Sequence, residues 1–162
     1  MIELLPVDGE TIQCYKLFDR VYDDCLSGYT SRIYPHHYER HEELVRQHQL
    51  YWRYIVYGDR YIGSVWLEKD APADTVASLG IFIYDDCYRS KGLGREVIRL
   101  ALADACGLLN IKEVALRVRA DNTRAFRCYR QCGFIPTDTF TKENGIEVIR
   151  MLKKLDDSAE SA

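Results

Sequence analysis

A glycine-containing segment between an apolar run and a long amphipathic stretch constrains this chain more than any other feature. The segment Arg89-Ser90-Lys91-Gly92-Leu93-Gly94 follows the apolar run 76–84 and precedes the helix-forming stretch 92–108. This order predicts a strand, a tight turn and a helix. Glycines let a ligand approach the backbone, and the first amides of a helix, with its dipole, favour an anion. The segment therefore predicts a phosphate-binding turn, to which Arg95 adds positive charge.

Two familiar phosphate motifs fit this segment less well. A P-loop has Lys and then Ser or Thr after its last glycine, whereas Gly94 is followed by Arg95 and Glu96. A dinucleotide fingerprint requires a third glycine at the position that Val97 occupies. A glycine-rich turn without any ligand is the remaining alternative when the segment is considered alone.

The remainder of the chain alternates between short apolar runs and amphipathic stretches. Its periodicity predicts strands at about 2–5, 51–57, 61–68, 76–84, 114–118, from 133 and at 146–152, and helices at about 11–22, 36–48, 92–108 and 122–132. This order is typical of a mixed α/β (α+β) fold with a mostly antiparallel sheet, flanking helices and one β-α-β unit. We predict a single domain over 1–155 and a polar tail over 156–162.

Composition narrows the classes of function. The 162-residue chain has a net charge of −3, which argues against a general nucleic-acid-binding surface. No apolar run approaches the ~20 residues of a membrane span, and the start of the chain lacks the pattern of a signal peptide. We therefore expect a cytoplasmic protein without nucleic-acid or membrane partners. Six scattered cysteines with no Cys-x-x-Cys pair are expected to be thiols.

A second group of chemically capable residues follows the strand 114–118. Asn122 can cap a helix, and Gly133 is well suited to end it. Tyr129 lies seven positions after Asn122, so two helical turns place both residues near one face. Considered alone, Tyr129 is an ordinary tyrosine of an amphipathic helix.

Together these segments resemble the GNAT superfamily of N-acetyltransferases. The matching pieces are Leu79–Tyr84, Arg89–Gly94, Leu116–Asn122 and Ala125–Phe134, and the resemblance is specific over about Ser78–Phe134. It implies a sheet in which two parallel strands splay apart to receive acetyl-coenzyme A. The implied reaction is direct attack of an amine on the acetyl thioester.

The resemblance also implies roles for individual residues. The backbone near Phe82 would pair with the pantetheine arm, and the amides from Ser90 to Arg95 would hold the pyrophosphate. Asn122 would contact the pantetheine or nearby backbone, and Tyr129 would protonate the leaving thiolate. The predicted catalytic residue is therefore Tyr129, and the predicted cofactor-binding residues are Phe82, Ile83, Tyr84, Arg89, Ser90, Lys91, Gly92, Leu93, Gly94, Arg95 and Asn122.

The general base is left open by the sequence. Some members that resemble this chain over 116–122 carry glutamate at the second position, where this chain has Arg117. This departure argues against acetylation of peptide N-termini of the ribosomal-protein type. Glu68, Asp85, Asp86 and a water chain are the alternatives for the base.

The acceptor is also open. The resemblance implies a primary amine of a small molecule, a protein or a peptide, and the frequent dimers of the superfamily suggest a homodimer. An enzyme with another acyl donor is one alternative, and a catalytically weak or inactive acyl-CoA-binding sensor or scaffold is another. His37 and His41 are four apart, but no third ligand is near, so we interpret them as surface residues and expect no metal.

Overall fold

The computed structural model describes residues 1–7, 35, 37–83 and 92–155. These residues contain a seven-stranded sheet with the order β1-β2-β3-β4-β5-β7-β6. The strands are β1 (Ile2–Pro6), β2 (Leu50–Tyr57), β3 (Arg60–Glu68), β4 (Val76–Ile83), β5 (Glu113–Arg119), β6 (Ile135–Thr141) and β7 (Glu147–Lys154). The strands predicted from apolar periodicity are confirmed, with bounds that differ by a residue or two.

Three α-helices lie in these described residues: α1 (His41–Arg46), α2 (Leu93–Leu109) and α3 (Thr123–Gln131). The predictions for α2 and α3 are confirmed, whereas the helix predicted at 36–48 is shorter than expected. A 3₁₀ turn precedes α1, and His48 follows it with a left-handed φ of 56°, which ends the helix. The helix predicted at 11–22 lies outside the described residues. None of the described helices is long and apolar enough to cross a membrane.

One face of the sheet packs against α2 and α3. Side chains alternate along each strand, so every second residue points to this face. The predicted apolar stripe of α2 is confirmed, because its five residues Val97, Ile98, Ala101, Leu102 and Ala105 are all buried. They share one core with residues of the central strands, among them Ile55, Val65, Leu67, Leu79, Leu116 and Val118. We call this side of the sheet the α2 face.

The opposite side, which we call the α1 face, carries a second and more aromatic core. Leu44 of α1 packs there with Trp52, Tyr54, Trp66 and Phe82. The indole N–H of Trp52 donates to the Ser64 hydroxyl at 2.9 Å, which satisfies both polar groups inside the core. The aromatic residues of β2 and β3 therefore position α1 against the sheet.

The pair β4–β5 is parallel and is connected by α2, whereas the other neighbouring strands are antiparallel. The predicted β-α-β unit and the mostly antiparallel sheet are thus confirmed. A buried cation fixes the far end of α2: the Lys69 ammonium donates to the carbonyls of Leu109 and Pro72, both at 2.7 Å. Burial lowers the pKa of Lys69, and the two carbonyls supply its hydrogen bonds. Lys69 thereby ties the C-terminal end of α2 to the segment that follows β3.

Candidate functional site

The β4–β5 pair opens part-way along its length. Its parallel pairing runs from Val76–Glu113 to Ser78–Ala115. Beyond this point β4 continues in register with β3 as far as Ile83, while β5 continues with β7 as far as Arg119. We call the gap between Leu79–Ile83 and Leu116–Arg119 the slot. Its two strand edges can pair with an extended ligand as an added strand would.

Phe82 and Ile83 border the slot through their backbone. The Phe82 side chain is buried in the core of the α1 face, whereas Ile83 packs against the core of the α2 face. Both side chains therefore pack in the cores on the two faces of the sheet and do not enter the slot. On the side of β4 away from the slot, strand β3 approaches closely, because a side chain at Gly63 of β3 would collide with the carbonyl oxygen of Phe82. This packing fixes the edge of β4 that faces the slot.

The start of α2 has the properties of an anion site. Gly92 precedes the helix with a φ of +78°, a conformation that costs other residues free energy. No side chain caps this helix in the described residues. The first N–H groups, from Leu93 to Arg95, therefore have no side-chain acceptor there. A Cβ on Gly92 would meet no described atom within 4 Å. The helix dipole and the exposed Arg95 add positive potential at this open backbone.

Gly94 has a different role from Gly92. A Cβ at this position would lie 3.4 Å from Cys128 Sγ, at the lower limit of ordinary contact. The glycine thus lets α3 pack closely against the first turn of α2. The sequence pattern predicted ligand approach for both glycines, and for both this role stays a prediction.

The remaining predicted residues of the phosphate turn, Arg89, Ser90 and Lys91, lie outside the described residues, as does Tyr84. The same holds for the base candidates Asp85 and Asp86. Their roles remain predictions.

Asn122 forms the N-cap of α3. Its side-chain oxygen accepts a hydrogen bond from the amide of Ala125 at 3.2 Å. The predicted helix cap at Asn122 is confirmed and occupies this oxygen, whereas its contact with a cofactor stays a prediction. The side-chain amide nitrogen makes no hydrogen bond within the described ranges. Asn122 starts the helix at the end of β5 and so fixes where Tyr129 lies.

Tyr129 packs on the α2 face and contacts the Phe134 ring edge-on, with 6.1 Å between ring centroids. Its main-chain carbonyl accepts the amide of Phe134 at 3.0 Å, which holds the end of the helix. The phenol makes no hydrogen bond to any described group. Burial raises the pKa of Tyr129, and negative charge on Cys128 and Cys132 raises it further. The phenol thus stays protonated at neutral pH.

Two thiols flank Tyr129, and the structure gives them unequal acidity. The Cys128 thiol donates to the Cys132 sulfur, which raises the pKa of Cys128 and lowers that of Cys132 to about 7. The charges of Lys153 and Arg95 also lower the pKa of Cys132. Lys153 is anchored beside it, donating to the Cys132 carbonyl at 2.5 Å. Sequence spacing gave the two helix-face thiols but no sign of Lys153, which is 21 residues away.

A cavity of about 360 Å³ adjoins the start of α2. It lies between α2, the end of α3 and β7, and its lining comprises Gly92, Arg95, Glu96, Ile98, Arg99, Leu102, Gln131, Cys132 and Lys153. Arg99 is paired with Glu96 at 2.7 Å. Among the described residues that line the cavity, Arg95 and Lys153 therefore supply the positive charge that no carboxylate pairs. The volume of this cavity and its positive charge suit part of a polyphosphorylated ligand.

Two titratable residues considered in the sequence analysis, Glu68 and His41, lie on the α1 face. Glu68 ends β3 opposite Ser78, where the slot begins, and it accepts the backbone amide of His37 at 3.2 Å. His41 is buried, with Nδ1 3.1 Å from the Tyr38 carbonyl and its ring edge-on to Trp52. The interpretation of His41 as a surface residue is therefore wrong, because α1 turns it into the aromatic core. Within the described ranges, no three side chains of metal-ligating type come together.

Comparison with known proteins gives independent evidence of the family to which the chain belongs. A model of the acetyltransferase (GNAT) family matches residues 13–134. Mycothiol acetyltransferase from Corynebacterium efficiens is 33% identical over 79 residues, which are 48% of this chain and 25% of that protein. Spermine/spermidine N(1)-acetyltransferase from Bacillus subtilis is 28% identical over 76 residues, which are 47% of this chain and 42% of that protein. The aligned part thus spans less than half the length of either relative.

The fold also matches solved structures. Spermidine N-acetyltransferase from Vibrio cholerae, in complex with CoA and spermine, superimposes with a TM-score of 0.71 over 94% of this chain and 95% of that one. The two sequences are 20% identical, so the likeness is one of fold. Another structure of the Vibrio enzyme is dodecameric.

Proposed function

The chain belongs to the acetyltransferase (GNAT) family, and we propose that it transfers an acetyl group from acetyl-CoA to a primary amine. The acceptor is a small molecule or an amine of a protein or peptide. The observation that carries this proposal is the slot, which opens between parallel strands directly beside the start of α2 and the helix of Tyr129. A bound thioester in the slot would lie within the reach of both.

The residues around the slot fit the parts of CoA. The backbone of Phe82 and Ile83 borders the side on which an extended pantetheine arm would pair. The amides that follow Gly92, with Arg95 beside them, suit a pyrophosphate. The adjoining cavity, with Arg95 and Lys153, would accommodate a further phosphorylated part of the molecule. Acetyl-CoA supplies the reactive thioester when it is bound.

Tyr129 is the proposed general acid. The raised pKa of the phenol keeps its proton at neutral pH, and the hydroxyl is not used by any hydrogen bond in the described structure. It can therefore donate its proton to the leaving sulfur.

We further propose that copies of the chain associate and that the protein acts in the cytoplasm. The dodecameric Vibrio enzyme of the same fold supports association. The acceptors in the names of the relatives are amines such as spermine and spermidine, which supports an amine acceptor here.

One experiment tests the proposal through both binding and turnover. The wild-type protein is mixed with acetyl-CoA and a panel of polyamines, aminoglycosides, amino acids and peptides, and thiol release is measured. We expect release with at least one acceptor, and a rise in melting temperature with CoA. Tyr129→Phe should lower kcat by about 10²-fold or more and leave CoA affinity unchanged.

Tyr61→Phe is the matched control, because Tyr61 is an exposed tyrosine of β3 that lies outside the slot. Full activity of Tyr129→Phe would remove the assignment of Tyr129. A melting shift with CoA but no release with any acceptor would favour the sensor. An unchanged melting temperature would contradict the proposal.

A further inference from the structure

Three charged side chains form a row across the strands next to the slot. The register places Arg117 of β5 opposite Arg150 of β7, and Arg150 opposite Asp138 of β6. Residues directly opposite each other in a sheet point to the same face. The register thus places two arginines as cross-strand neighbours on the α1 face.

The two arginines are poorly compensated. Like charges directly opposite each other destabilise a sheet, and the single carboxylate in the row is Asp138, whose oxygen is 3.9 Å from Arg150 Nη1. Arg117 pairs with no carboxylate in the part of the chain that the structure describes, and its guanidinium lies 5.3 Å from the centre of the Phe140 ring. The neighbouring Arg119 is neutralised by Asp121 at 2.7 Å. Counting the described residues alone, one positive charge therefore remains in excess.

Arg117 lies close to the point at which the slot begins. Arg117 is two residues beyond Ala115, the last residue of β5 that pairs with β4. The α2 face of the slot is filled by the core that contains Leu79, Leu116 and Val118. An acceptor that approaches from the α1 face would reach a thioester in the slot beside Arg117 and Arg150.

We propose that Arg117 and Arg150 bind an anionic oxygen group, a carboxylate or a phosphate, on the acceptor molecule whose amine is acetylated. The inference rests on the proposed function and specifies its substrate class. A guanidinium binds such a group through two parallel hydrogen bonds, and Phe140 holds the Arg117 guanidinium on one side while its N–H edge stays available. The same two charges repel a polyamine, so this chain would differ in acceptor from the polyamine-acetylating relatives.

Binding to the protein saturated with CoA tests this inference without turnover. The probes are matched pairs that differ in the anion: phenylalanine and phenylalaninamide, 4-aminobutyrate and its amide, O-phosphoethanolamine and ethanolamine. Calorimetry should show at least about tenfold tighter binding of the anionic member in one or more pairs. The carboxylate and phosphate pairs show which anion is preferred.

Two variants test the residues. Arg117→Gln and Arg150→Gln should each reduce the anionic preference by about tenfold and leave CoA affinity unchanged. Lys112→Gln removes a positive charge at the opposite end of β5 and should change nothing. Equal affinities within every pair, or a preference that survives both arginine variants, would overturn the inference. The proposed function fails separately, through an absent melting shift with CoA or absent thiol release.

Discussion

Cys132 is a residue whose thiol becomes more acidic in the folded structure. A cysteine thiol has an ordinary pKa near 8.5. The Cys128 thiol donates to its sulfur, Lys153 and Arg95 add positive charge, and together they lower the pKa of Cys132 to about 7. Because the thiolate is the nucleophile, alkylation of Cys132 should accelerate as the pH rises through about 7.

The rate of Cys132 labelling by iodoacetamide, followed by peptide mass spectrometry across pH, measures this directly. Cys128→Ala removes the hydrogen-bond donor, so the midpoint should move to higher pH. Lys153→Gln should move it in the same direction. A wild-type midpoint at the ordinary thiol value would contradict the arrangement.

These residues also show where sequence-based prediction ends. Asn122 caps the helix that carries Tyr129, and local spacing sufficed to predict both positions. Lys153 approaches Cys132 only because β7 packs beside α3, and His41 is buried only because α1 faces Trp52. Contacts that arise from tertiary packing leave no periodic signal in a single sequence.

At the scale of elements, two glycines with opposite surroundings test the described packing. Gly107 lies in the exposed side of α2, and a Cβ there would meet nothing within 4 Å. Gly107→Ala should therefore stabilise the protein by about 0.5–1 kcal/mol through better helix propensity and raise Tm by ~2–4 °C.

A side chain at Gly63, in contrast, would collide with the Phe82 backbone on β4. Backbone cannot yield as a flexible side chain can, so Gly63→Ala should destabilise the protein by about 3 kcal/mol or more. Scanning calorimetry of both variants compares them. Equal Tm values would show that β3 and β4 do not approach as described.

Strand bounds were predicted closely because β-branched and aromatic residues mark them, as in β2 and β3. The length of α1 was overestimated. The composition of 36–48 favours a longer helix, but His48 adopts a left-handed backbone conformation and the helix ends before it. Local propensity gives way to packing at such ends.

At the scale of the whole molecule, the sheet order and the slot depend on long-range pairing. The parallel β4–β5 pair followed from the β-α-β order, and its divergence was implied by resemblance alone. Periodicity gives no register, so the point at which pairing stops, Ser78–Ala115, required the structure. In the proposed function, this divergence is the feature on which donor binding depends.

Hydrogen exchange measured with and without CoA tests that dependence most directly. Exchange slows where amides gain hydrogen bonds or lose contact with water, and β1 with β2 serves as the internal reference far from the slot. We predict slower exchange with CoA in Leu79–Ile83, in Leu116–Arg119 and in the first turn of α2, and no change in β1. CoA that binds the protein and leaves exchange in all three segments unchanged would contradict the account.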